Sequence, residues 1–152
     1  MKIFLGSDHA GFHLKSDLMA HLSKRALDVE DVGNKVLDPD DDYPQFAFQA
    51  AMKVLGSEDP DARAILICGS GQGMCIAANR IRGIRASVIW DKHGAQETRE
   101  DNDSNILCLP ARTLEQEGQQ AIFDIVDTWI DTQFSGAPRH IRRLKEIEEI
   151  YG

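Results

Sequence analysis

Cys68 opens the segment Cys68-Gly69-Ser70-Gly71-Gln72-Gly73, which follows an apolar run at residues 64–68 and precedes an apolar stretch beginning near Met74. Three glycines in so short a loop let the backbone turn tightly and direct several N–H groups inward. A loop of this kind that opens a helix favours anions, because the free N–H groups and the helix dipole both attract negative charge. A thiol at a helix N-terminus is acidified from its reference pKa of about 8.5, which would make Cys68 a reactive thiolate. The same residues also fit a buried strand cysteine followed by a structural turn, and the motif alone does not choose between the two. Cys75 and Cys108 fall in a helix and a strand and read as core.

The loop has a second resemblance, to nucleotide-binding loops. Gly69-Ser70-Gly71 begins like G-x-G-x-x-G, and Asp91 follows the next strand about 20 residues on, where a ribose-binding acid would stand. Met74 occupies the third glycine's place, which argues against a dinucleotide site. A P-loop is excluded because no Gly-Lys-Ser/Thr closes the loop.

Two further clusters carry titratable groups. Asp8-His9-Ala10-Gly11 ends the first apolar run, and an acid beside an imidazole can orient a hydroxyl and move its proton near neutral pH. Taken alone, Asp8 reads equally as a helix cap with a solvated histidine. His9 and His13 are spaced to share a helix face, but no third ligand is evident nearby, so no metal is assigned. Arg139-His140-Ile141-Arg142-Arg143 follows a Gly-Ala-Pro turn; Arg139 and Arg143 are i, i+4 neighbours able to grip one phosphate. Arg112, beyond the last strand, is a candidate for the same rim.

These groups need a scaffold. Short β-like runs at residues 2–6, 27–32, 64–68, 85–90 and 105–109 predict five strands, and the continuous apolar run at 64–68 predicts a central one covered on both faces. Between them lie amphipathic stretches: Leu14, Leu18 and Leu22 on one face, a helix at 44–55 starting at Pro44, and another at 93–102. Residues 114–133 predict one long helix with Ile122, Ile125, Val126, Trp129 and Ile130 as its stripe. A last helix carries Ile141, Leu144, Ile147 and Tyr151, while residues 34–43 read as an exposed polar loop. The alternation implies an α/β fold with a parallel, doubly wound sheet in one domain, residues 1–152, with the chemical motifs at the carboxyl ends of the strands.

Bulk properties narrow the partners. The net charge of −8 argues against broad nucleic-acid or anionic-membrane binding. No apolar run approaches the length of a membrane span, no signal-peptide pattern opens the chain, and three cysteines form no CxxC pair; a soluble cytoplasmic protein is expected.

Taken in order, GSDHAG (6–11), DYP (42–44), ILICGSGQGMCIAAN (65–79), GIRA (83–86), NDSN (102–105) and RHIRR (139–143) resemble the ribose-5-phosphate isomerase B family, which includes the galactose-6-phosphate isomerase subunits. The resemblance covers nearly the whole chain. It implies a Rossmann-like three-layer α/β/α fold with a five-stranded parallel sheet and an extra C-terminal helix. It also implies a homodimer or dimer of dimers with sites shared between subunits, and isomerisation of a small phosphorylated sugar through a cis-enediolate without metal or cofactor. On this resemblance Cys68 moves the proton between C1 and C2, the N–H groups of Gly69, Gly71 and Gly73 hold the oxyanion, and Ser70 lies near the sugar hydroxyls. Asp8, His9, Tyr43 and Asn102 would contact substrate, and Arg112, Arg139, His140 and Arg143 would line its phosphate end.

One departure stands out. Many members of the family carry a ring-opening histidine before the Asn-Asp pair, where this chain has Asp101. Either Asp101 does that work with a pKa raised by burial, or the substrate needs no ring opening, as for an acyclic tetrose 4-phosphate such as erythrulose 4-phosphate. A sugar-phosphate or nucleotide sensor on the same fold is the non-catalytic alternative.

Overall fold

The computed structural model describes residues 1–150. Five strands, β1 (Lys2–Ser7), β2 (Asp28–Asp31), β3 (Arg63–Cys68), β4 (Ala86–Val88) and β5 (Ile106–Pro110), form one sheet in the order β2-β1-β3-β5-β4. Every pairing is parallel, and the register sets Ser7 beside Ile67 and Cys68 beside Pro110. The strand ends that carry Asp8, Cys68 and Ala111 are therefore neighbours.

β3 is buried along its whole length, and its alternating side chains feed two cores, one on each face. Ala64, Leu66 and Cys68 face helices α2 (Tyr43–Leu55) and α3 (Gln72–Ala78), meeting Phe46, Ala50 and Met74. Ile65 and Ile67 face α1 (Phe12–Lys24), α4 (Lys92–Asn102), the short α5 (Ala111–Leu114) and α6 (Gln119–Asp131), meeting Leu18, Leu22, Ala95 and Trp129. The buried Trp129 indole donates to Ser104 Oγ at 2.8 Å, so its one polar atom is satisfied. A final helix, α7 (Pro138–Glu149), lies outside these layers, with His140 its one buried residue. The fold is the Rossmann-like α/β/α arrangement with an added C-terminal helix. Among the described residues, no helix is long and apolar enough to cross a membrane.

Three expectations change. The single helix predicted at 114–133 is two helices, because the chain turns at Glu117, whose N–H reaches Leu114 O, and restarts from extended Gly118. Residues 34–43 are not uniformly exposed, since the Asp41 side chain is buried. The motifs do not all lie at the carboxyl ends: α4 carries the chain back to the amino edge, ending in left-handed Asp103 just before β5 begins, so Asp101 and Asn102 sit at the opposite edge from Cys68. Tyr151 lies outside the described residues.

Candidate active site

The carboxyl edge is built from three strand ends. After β1, the Asp8 backbone N–H donates to Ile67 O at 3.2 Å, tying this segment to β3. Asp8 Oδ1 accepts from the N–H groups of Ala10 and Gly11 at 3.0 and 3.3 Å and so caps the short 3-10 turn His9–Gly11. That turn presses on the sheet: a Cβ at Gly11 would come within 2.6 Å of Ile67 Cγ2. Burial pushes the Asp8 carboxyl above its ordinary pKa, opposed by the Gly11 N–H and by the neighbouring His9.

After β3, Cys68 is 4% exposed, with the glycine loop folded over the ends of β5 and α2. Each loop glycine answers a distinct contact. At Gly69 a Cβ would meet the Arg112 guanidinium carbon at 2.8 Å, so that cation lies directly on the loop. Gly71 has φ of +72° beside Val88 and Pro110, and starts α3. At Gly73 a Cβ would meet the Tyr43 ring at 2.6 Å. Ser70 Oγ accepts from the Gln72 N–H at 3.3 Å and stays exposed. After β5, the Arg112 backbone N–H donates to Gly69 O at 3.0 Å, which fastens the third strand end to the loop.

His9 completes this edge. Its Nδ1 lies 2.7 Å from Asp41 Oδ1, and its backbone N–H donates to the same oxygen at 3.1 Å. The Asp41 hydrogen bond raises the His9 pKa, aided by Asp8 and opposed by burial and Arg112. Asp41 Oδ2 accepts from the Asn34 amide at 2.6 Å. Behind them, buried Lys15 donates to both Asp31 oxygens, at 2.9 and 3.0 Å, and to Asn34 O. Ser7 Oγ, fully buried beside Gly33, has no hydrogen-bond partner among the described residues.

The structure therefore brings together Asp8, His9, Tyr43, Cys68, Gly69, Ser70, Gly71, Gly73 and Arg112. It does not bring Asp101, Asn102, Arg139, His140 or Arg143 to them within one chain. These five sit at the amino edge, where Ser135 N–H bonds Glu100 O and α7 lies along α4. There His140 Nε2 is 3.2 Å from Asp101 Oδ1, an ion-pair distance, but off hydrogen-bond geometry, which leaves a buried nitrogen without a hydrogen-bond partner among the described residues. Arg139 and Arg143 are exposed.

Two sequence readings resolve differently. Asp91 is exposed and caps α4, accepting from Gly94 N–H at 2.7 Å, which accounts for an acid at this position without a ribose. His13 is exposed on α1 and no ligand partner of His9, yet Asp8, His9 and Asp41 do gather their donor atoms within 4.8 Å. The third donor that spacing did not reveal thus exists; of the cluster's atoms, Asp8 Oδ1, His9 Nδ1 and both Asp41 oxygens already hydrogen-bond within the protein. Cys75 and Cys108 belong to the core, as read; burial raises the Cys108 thiol, and the Cys75 Sγ donates to Ala86 O at 3.3 Å.

Comparison with known proteins gives the chain its class. The Ribose/Galactose Isomerase family model matches residues 3–147. The chain is 41% identical over 145 residues, 95% of its length and 91% of the relative's, to the probable ribose-5-phosphate isomerase B of Mycoplasma pneumoniae. The Clostridium thermocellum ribose-5-phosphate isomerase B superposes with a TM-score of 0.91 at 42% identity, covering 99% of this chain and 97% of the other. The Mycoplasma genitalium enzyme, solved with bound ribulose-5-phosphate, superposes with a TM-score of 0.91 at 37% identity, covering 99% and 95%. The fold is thus that of an isomerase. More particularly, the chain belongs to the Ribose/Galactose Isomerase family.

Proposed function

We propose that this enzyme interconverts ribose 5-phosphate and ribulose 5-phosphate, with Cys68 as the base. The observation that carries this is the convergence of Cys68, Asp8 and Arg112 on three adjacent strand ends under one glycine loop. The relative solved with ribulose-5-phosphate supports the same substrate.

In the aldose-to-ketose direction, the Cys68 thiolate takes the proton from C2. The electron pair forms the C1–C2 double bond of a cis-enediolate, and the charge passes to O1. Loop N–H groups at Gly69 to Gly73 stabilise that charge. Asp8, its carboxyl already raised by burial, shifts the hydroxyl proton from O2 to O1. Cys68 then returns its proton to C1. Ser70 and Tyr43 frame the sugar, and Arg112 and His9 meet the phosphate end. No step draws on a metal or cofactor.

Asp101, Asn102, Arg139, His140 and Arg143 reach this site from a second copy, since within one chain they lie on the far edge. The helix that bears three of them also exposes Ile141 and Ile147, apolar surface suited to burial against that copy. A homodimer, alone or paired into a tetramer, follows. Asp101 would open the furanose by taking the O1 proton and protonating O4 as the C1–O4 bond breaks. Three free cysteines support a reducing, cytoplasmic setting, with residues 1–152 acting as one domain.

The test is turnover of a panel of four-, five- and six-carbon sugar phosphates in D2O, for the wild type and Cys68→Ser. Deuterium entering C1 or C2, and a loss of about a thousandfold or more in Cys68→Ser with the fold retained, is the expected result. Binding without exchange would identify a sensor, and near-full activity in Cys68→Ser would remove the base.

A further inference from the structure

The geometry points to Asp41 as a positioning residue that clamps His9 by Nδ1 and turns Nε2 towards the phosphate of the sugar, beside Arg112. This inference rests on the isomerase reading above and adds to it a residue that neither motif nor resemblance singled out.

The clamp has two jaws on one oxygen. Asp41 Oδ1 takes both the His9 backbone N–H, at 3.1 Å, and the ring Nδ1, at 2.7 Å, so backbone and ring are fixed together. A carboxylate facing Nδ1 requires a proton there, which fixes the tautomer and leaves Nε2 as the outward atom. Nε2 has no hydrogen-bond partner among the described residues, and the ring is 39% exposed while the Asp41 side chain is 2% exposed. The imidazole is thus held from behind and open in front.

Asp41 is held in turn. Its Oδ2 takes the Asn34 amide at 2.6 Å, and the Asn34 carbonyl takes the buried Lys15 ammonium, which is anchored on Asp31. Both oxygens are thus tied into one network, and its outward end is the His9 ring, which Asp41 orients.

Charge follows from the same contacts. The groups facing His9 are Asp41 from the loop before α2, Asp8 from its own segment and Arg112 from α5. The two carboxylates outweigh Arg112 and hold the imidazole protonated to higher pH than an ordinary histidine. A charged Nε2–H next to a guanidinium forms a two-cation rim for a dianion, and charge-assisted bonds of this type are about twice as strong as neutral ones.

The experiment compares wild type, Asp41→Asn and Asn34→Ala. Histidine titration by 15N NMR, assigned with His9→Gln, is read beside KM and kcat for ribose 5-phosphate from pH 6.5 to 9. In Asp41→Asn the His9 pKa should fall towards the reference of about 6.5, and KM at pH 8 should rise about tenfold with kcat changed less than about threefold. The rise in KM should begin at lower pH than in the wild type. Asn34→Ala should shift both in the same direction by less, and it stands in if Asp41→Asn does not fold. An unmoved His9 titration, or a fall in kcat with KM unchanged, would overturn the assignment. If the wild type does not turn over ribose 5-phosphate, the isomerase reading fails separately; the NMR titration, run with inorganic phosphate as the probe, still decides whether Asp41 sets the state of His9.

Discussion

The Tyr43 ring lies against Gly73 so closely that a single added methyl carbon at residue 73 would stand 2.6 Å from Tyr43 Cζ. The first turn of α2 and the first turn of α3 are thereby fitted together at the floor of the Cys68 loop. Gly73→Ala must displace the ring or the loop, an overpacking that costs about 1–3 kcal/mol. Activity should suffer more than stability, with kcat/KM falling about tenfold or more. The pairing is checked by a double-mutant cycle: once Tyr43→Ala has removed the ring, Gly73→Ala should add little further loss. Additive losses would show that the two residues act apart.

Asp101 decides between a five- and a four-carbon substrate. If it opens the furanose, Asp101→Ala lowers ribose 5-phosphate turnover by about a hundredfold and leaves erythrose 4-phosphate turnover unchanged, because a sugar esterified at O4 has no furanose to open. Steady-state rates on both sugars read this directly. A wild type much more efficient on the tetrose, with Asp101→His improving pentose turnover alone, would reassign the substrate to four carbons.

Lys15 and Asp31 give the fold an acid-sensitive joint. Burial would raise the Asp31 carboxyl, but hydrogen bonds from Lys15, the Gly33 N–H and Lys35 outweigh it and hold the pKa below the reference of 3.8. The unfolded chain therefore binds the proton first as pH falls, so this contribution is complete well above pH 3.8 and drains away below it. Asp31→Asn should flatten the acid limb of stability below about pH 4 and destabilise by about 3 kcal/mol at pH 7, where buried Lys15 loses its counter-charge. Urea unfolding at pH 7 and pH 3.5 measures both effects; an unaltered acid limb would exclude the pair as the joint.

Much of the frame was legible in the residues. The unbroken apolar run ending at Cys68 predicts a central strand, and it is one; the glycines after it predict a tight loop opening a helix, and they form one. The break before Gly118 was not legible, because Leu114-Glu115-Gln116-Glu117 are ordinary helix formers and the apolar stripe resumes in phase beyond them. Nor was the separation of Asp101 from Cys68: it follows from α4, whose 11 residues carry the chain about 16 Å back along the sheet. Asp41 escaped for a related reason. One carboxylate in the run Asp40-Asp41-Asp42 looks like its neighbours until folding sets it against a histidine 32 positions earlier.

The placement of Cys68 on one edge and the arginines of α7 on the other has a consequence for mixtures of damaged chains. In the proposed two-fold dimer, each chain lends its thiol to one site and its arginines to the other. A Cys68→Ser chain and an Arg139→Ala/Arg143→Ala chain, each inactive alone, would then rescue each other when unfolded together and reassembled. Random pairing makes half of the dimers mixed, and each mixed dimer keeps one undamaged site, so roughly a quarter of full activity should return. Were all the groups drawn from a single chain, every site would carry a lesion and nothing would return.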